Sequence, residues 1–153
     1  MINVSKRIHR FLCVLGFLML TSQQFMAQDK NETQSDSAKI FTIENCVNTF
    51  SMEDAISTEV GYQYWFADKD FLDGRTLKMS VVAPHKSTHA PHKHIEDEFF
   101  FILEGTASFY LDGKTKEVGK YTSLYCPSNV MHGISNAGDT ELKYLVIKKY
   151  QKN

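Results

Sequence analysis

Nothing in this sequence approaches the run of about 20 apolar residues that a membrane-crossing helix requires. The longest apolar run, residues 11–20, is half that length. It follows the basic residues Lys6, Arg7 and Arg10 and precedes the polar residues 21–24. Basic, apolar, then polar is the order of a secretory signal peptide. No polar face recurs through the run, which argues against an amphipathic helix. The sequence therefore predicts a signal peptide over residues 1–27, cut after Ala27, although Phe25 stands where a small residue is preferred. The mature chain is expected in the periplasm or secreted, with no permanent membrane anchor.

Charge of one sign is also missing. The chain has 17 Lys and Arg against 18 Asp and Glu, and the signal segment removes three basic residues and no acidic one. A mildly acidic mature domain has no electrostatic reason to seek nucleic acid or anionic lipid. Cysteine is scarce, at three residues. Cys13 lies inside the apolar run, so it does not read as a lipidation site. Cys46 and Cys126 remain; outside the cytoplasm they could pair, or stay as two buried free thiols. There is no internal repeat, and no low-complexity tract beyond residues 28–38. Those residues form a polar, flexible leader with too little apolar surface to pack.

What remains, residues 39–153, is long enough for one domain. Residues 51–57 could form one or two helical turns capped by Ser51. Most other segments read as strands. Residues 60–67 are rich in aromatics, with Tyr62 and Tyr64 on one face and Trp65 on the other. Asp73-Gly74 closes the loop that follows. Residues 75–83 alternate, with Leu77, Met79 and Val81 sharing a face. Two apolar runs, residues 99–103 and 107–111, are separated by Glu104-Gly105 and closed by Asp112-Gly113, a hairpin pattern. Phe100 and Ile102 share the parity of Glu98 and should line the interior. Phe99, Phe101 and Leu103 face outward, against another sheet or a second subunit of a homodimer. Further strands are expected at residues 121–126, 130–135 and 141–150. Short strands at near-regular spacing with almost no helix predict an all-β sandwich or barrel.

Five histidines follow the signal segment: His85, His89, His92, His94 and His132. Four lie within ten residues. Imidazole suits borderline metals. On an extended chain His92, His94 and Glu98 share one parity, so two nitrogens and a carboxylate converge. That donor set suits Fe, Mn, Ni or Zn better than Ca or Mg. A fourth ligand should come from another strand, and His132 lies outside the cluster. His85 and His89 read as exposed loop residues.

The spacing His92-x-His94, three residues, Glu98, six residues, Gly105 resembles the first motif of the cupin superfamily. Pro127, four residues, His132, three residues, Asn136 resembles the second. Together they cover about residues 75–148. Three positions depart from the pattern. Lys86 stands where the family has a leading glycine. Asn129 replaces a central glycine, a change the turn tolerates because Asn adopts left-handed geometry readily. Gly119 lies eight residues before Pro127 instead of six. The resemblance implies a single-domain cupin, a double-stranded β-helix or jelly-roll-like barrel of roughly eight strands. It also implies one divalent transition metal on His92, His94, Glu98 and His132, with coordination positions left open.

The resemblance further implies chemistry on a small-molecule ligand, such as a sugar or uronate from polysaccharide breakdown, of isomerase, lyase or dioxygenase type. A non-catalytic binding module is the alternative, and a sensor using Cys126 with the histidines is a third. No residue can be assigned as catalytic acid or base from the sequence, and the substrate-binding residues are open.

Overall fold

Two Asp-Gly pairs set the register of the sheets in the computed structural model, which describes residues 40–151. Strand β2 (Gly61–Leu72) turns into β3 (Arg75–Val82) through Asp73 (φ 45°) and Gly74 (φ 75°). Strand β5 (Ala107–Leu111) turns into β6 (Lys114–Val118) through Asp112 (φ 45°) and Gly113 (φ 81°). Positive φ at both central residues matches the right-handed twist of the flanking strands, and Asp-Gly is among the pairs that adopt it most readily. The remaining strands are β1 (Ile56–Thr58), β4 (Glu98–Glu104), β7 (Ser123–Cys126), β8 (His132–Asn136) and β9 (Leu142–Lys149). The predicted signal peptide and leader lie outside the described residues.

The strands form two antiparallel sheets, in the order β1-β2-β3-β9-β4-β7 and β6-β5-β8. The core lies between them. Val82, Phe100, Ile102, Leu124, Leu142 and Val146 of the larger sheet meet Ala107, Phe109 and Ile134 of the smaller one. Phe100 and Ile102 do face inward, and Ile102 is fully buried. The all-β expectation holds, with nine strands among the described residues.

The hairpin expected from β4 to β5 does not form. β4 pairs with β7 and β9, whereas β5 pairs with β6 and β8. Both runs contribute inward side chains to one core, so they face each other across it instead of hydrogen bonding. The chain turns this corner at Gly105 (φ 84°), where a Cβ would stand 2.6 Å from the Glu141 carbonyl oxygen. Hydrophobic alternation with an intervening glycine reads the same for a hairpin and for a corner between sheets.

The helix expected over residues 51–57 is also absent. Ser51 Oγ accepts a hydrogen bond from the Glu53 amide, a local turn, and Ile56 then enters β1. The helix that does form is one turn, α1 (Ile43–Cys46), closed by a capping box between Thr42 and Asn45. Cys46 is exposed and free, not a buried thiol, while Cys126 is free and buried.

Leu77, Met79 and Val81 share a face, and it is the outer one. Tyr64, Met79 and Val81 form a second cluster with Phe66, Leu103 and Leu145 packed against it. The segment before β1 lies over this cluster: Phe50 meets the Tyr64 ring edge-on at 5.1 Å, and the Tyr64 hydroxyl donates to the Thr49 carbonyl. Leu103 is therefore covered within the chain, whereas Phe99 stays 43% exposed against Tyr125. The inner face of β3 carries Thr76, Lys78 and Ser80, which line a cavity.

Asn136 ties the sheets together. Its amide nitrogen donates to the carbonyls of Val82 and Thr140, and its oxygen accepts from the Gly138 amide. All polar atoms of this buried side chain are satisfied, and the turn before β9 is pinned to the end of β3.

Candidate metal centre

The segment before β4 is irregular, so His92 and His94 do not sit on a strand as expected. Their rings nevertheless converge. The His92, His94 and His132 ring centroids lie 4.8–5.4 Å apart. The convergence has a backbone cause: His92 and His132 exchange both amide-to-carbonyl hydrogen bonds, at 2.9 and 2.8 Å. Pro127 starts the turn that delivers His132, and Asn129 adopts the left-handed conformation (φ 59°) expected of it. Asn129 N–H then bonds to the His94 carbonyl, linking the two ligand-bearing segments again.

Each imidazole is oriented by a carbonyl two residues away. The Nδ1 atoms of His92, His94 and His132 lie 3.2, 2.7 and 2.8 Å from the carbonyls of Ala90, Glu96 and Val130. A carbonyl can only accept, so each Nδ1 carries the proton and each Nε2 presents its lone pair inward. Ligating histidines are commonly fixed in this way. Glu98 Oε1 lies 3.1 Å from His132 Nε2 and 3.6 Å from His94 Nε2. Both Glu98 and His132 are buried. His132 thus faces an acceptor at each nitrogen, a demand that neutral imidazole cannot meet with one proton. Either a second proton, giving an ion pair with Glu98, or a cation among Nε2 and Oε1 meets it, and three nitrogens plus one carboxylate oxygen fit a divalent transition metal.

A cavity of about 540 Å³ opens beside these groups. It is floored by Phe100, Ile134 and Val146 and walled by Trp65, Lys78 and Tyr144. Burial pushes the Tyr144 phenol up, and hydrogen bonds with Thr88 and Ser80 partly oppose this, so it stays protonated. Lys148 lies 3.7 Å from Glu96 and 3.9 Å from Glu98. Lys78 Nζ rests 5.1 Å from the Trp65 ring centre, and burial lowers its pKa. His89 also lines the cavity, with its ring 5.8 Å from that of His92, although it is exposed. His85 is exposed and pairs with Asp139 at 2.9 Å, away from the cavity.

Cys126 is directly opposite Glu98 in the β4–β7 ladder, and Glu98, Cys126 and His132 form a close buried group. Burial, then the Glu98 charge, push the Cys126 thiol up to about 12. Without an ion, a thiol held protonated packs as a small apolar group. Sequence reasoning missed Lys78, Lys148 and Tyr144. Their available signal was parity: Thr76, Lys78 and Ser80 alternate with the apolar row of β3.

A family model described as "Cupin domain" matches residues 78–148. An uncharacterized protein of Methanocaldococcus jannaschii, MJ1618, is 37% identical over 66 residues, which are 42% of this chain and 53% of that protein. The chain therefore spans about half the length of this curated relative. Among solved structures, a predicted oxalate decarboxylase from Thermotoga maritima is 25% identical with a TM-score of 0.54, over 57% of this chain and 78% of that one. The polyketide cyclase RemF from Streptomyces resistomycificus superimposes with a TM-score of 0.57 at 22% identity, over 67% and 79% of the two chains, a likeness of fold.

Proposed function

The chain belongs to the cupin superfamily, and from that premise we infer that it binds one divalent transition metal on His92, His94, Glu98 and His132. We propose further that it is an enzyme acting on a small molecule held in the adjoining cavity. The observation that carries this reading is His132, buried between two acceptors, Val130 O and Glu98 Oε1. When bound, a divalent ion supplies Lewis acidity toward a carbonyl or hydroxyl oxygen.

The chain's own residues do the rest. Three backbone carbonyls fix the imidazoles, so no reorientation is needed when a ligand arrives. Phe100 and Ile134 give the cavity an apolar part of its lining. The protonated Tyr144 offers a hydroxyl within the same cavity, positioned by Ser80 and Thr88. The substrate class proposed is a sugar or uronate released from a polysaccharide, with isomerase, lyase or dioxygenase chemistry. Export to the periplasm or medium, proposed from residues 1–27, places the protein where such molecules are scavenged.

Elemental analysis of purified protein, made with native-like metal supply, is the test. One transition metal per chain supports the site. Iron would put O₂-dependent chemistry first, and zinc, manganese or nickel an isomerase or lyase. No metal, even after these ions are added back, would overturn it. A sugar acid recovered unchanged after long incubation with metal-loaded protein would favour a non-catalytic binding module.

A further inference from the structure

Lys148 and Lys78 both enter the cavity, but only one is neutralised. Lys148 sits between Glu96 and Glu98, whereas Lys78 forms no salt bridge among the described residues and feels the Glu98 charge only from beyond contact distance. An ammonium in a partly buried cavity costs free energy unless something compensates it. Trp65 compensates in part, by a cation–π contact. The placement is set by the sheet. On β3–β9–β4, Lys78 lies opposite Val146 and Phe100, one inward pair along from the Thr76–Lys148–Glu98 row. Two strand spacings, roughly 10 Å, separate the β3 and β4 backbones, and long side chains narrow that gap.

The cavity charge follows. The metal centre, if loaded as inferred above, has three neutral imidazoles and one carboxylate, so it keeps a positive charge. Lys148 is balanced by Glu96. Lys78 adds a second positive charge that no salt bridge neutralises, so with the metal bound the cavity stays net positive even with the exposed Glu59 counted in its lining.

We propose that Lys78, backed by the Trp65 ring, is the docking point for the carboxylate of a small organic acid whose other end faces the metal centre. A monoanion matches one unpaired ammonium. A phosphate dianion is ordinarily gathered by several unpaired cations or by the amides at a helix N-terminus; here Lys148 is already held by Glu96, and no helix N-terminus among the described residues lines the cavity. Thr76 and Ser80, neighbours of Lys78 on the inner face of β3, also line the cavity, with Thr76 donating to the Lys148 carbonyl and Ser80 bonded to Tyr144. A cavity of about 540 Å³ accommodates an acid of sugar size. This rests on the cavity reading above, and it names the substrate's charge and the residue that selects it.

The experiment is calorimetric titration of the zinc-loaded and zinc-free chain with three acids and their neutral counterparts: D-glucuronate and D-glucose, malonate and malonamide, benzoate and benzamide. At least one acid should bind tenfold or more tightly than its counterpart. Lys78→Met should abolish that preference, and Lys78→Arg should restore it to within about threefold. Zinc stoichiometry and the thermal midpoint, read on the same samples, should be unchanged in both variants. The proposal is overturned if no acid outbinds its counterpart, or if Lys78→Met keeps the preference. Absent zinc binding would sink the metal reading and the charge balance together, whereas zinc bound at one per chain with no acid preference would sink the role of Lys78 alone.

Discussion

His92 and His132 pair backbone to backbone, each amide donating to the other's carbonyl, across a gap of 40 residues in sequence. The bridge joins the segment before β4 to the first residue of β8. The geometry of the proposed ligands is therefore set by main-chain hydrogen bonds, and the candidate site is largely preformed.

Replacing His132 should empty the site. His132→Ala removes the ligand that the other sheet contributes and leaves Glu98 without its 3.1 Å partner. Zinc occupancy should fall from one per chain to under about one tenth, read by elemental analysis after dialysis. Full occupancy in this variant would refute the ligand assignment.

Asn136 is a test of the fold apart from the metal. Asn136→Ala strips hydrogen bonds from the Val82 and Thr140 carbonyls and the Gly138 amide. Urea unfolding of the metal-free chain should show a loss of about 3 kcal/mol. A loss under about 1 kcal/mol would mean that water replaces the side chain.

Gly105 is the corner between sheets. Gly105→Ala places a Cβ 2.6 Å from the Glu141 carbonyl oxygen at a φ of 84°. Destabilisation of about 2 kcal/mol or more is expected, measured by the same urea transition. The mutation should leave zinc stoichiometry at one per chain if the variant folds.

The two cysteines of residues 28–153 should differ sharply toward a thiol reagent. Cys46 is exposed and Cys126 buried, with its pKa pushed up to about 12. At pH 8 a disulfide reagent should label one thiol per chain quickly, and Cys46→Ser should remove that fast phase. Fast labelling of Cys126 in the folded state would contradict the packing described.

Much of the site was legible because its spacing is local. His92, His94 and Glu98 are separated by few residues, and the Pro127 turn fixes where His132 enters, so the motif carried all four proposed ligands. The extended-strand argument for His92 and His94 reached the right convergence by the wrong geometry. The His92–His132 bridge supplies it, and such long-range pairing leaves no trace in local pattern. The β4–β5 corner was misread for a similar reason, since alternation reports which side chains are buried and not which strand is adjacent. Lys78 escaped notice because a polar residue alternating with Leu77 and Met79 reads as solvent-facing. In this sheet the apolar row is covered from outside by Phe50 and its neighbours, and the polar row is the one that faces the cavity. The order of the two faces depends on a segment that packs from elsewhere in the chain.

The proposed ligands also straddle the two layers: Glu98 belongs to the six-stranded sheet and His132 to the three-stranded one. An ion held by both would act as a removable cross-link, closing the chain between them and stabilising the folded state by mass action. The lifetime of the protein would then follow the metal supply of its surroundings, with metal-starved molecules the first to open and be cleared.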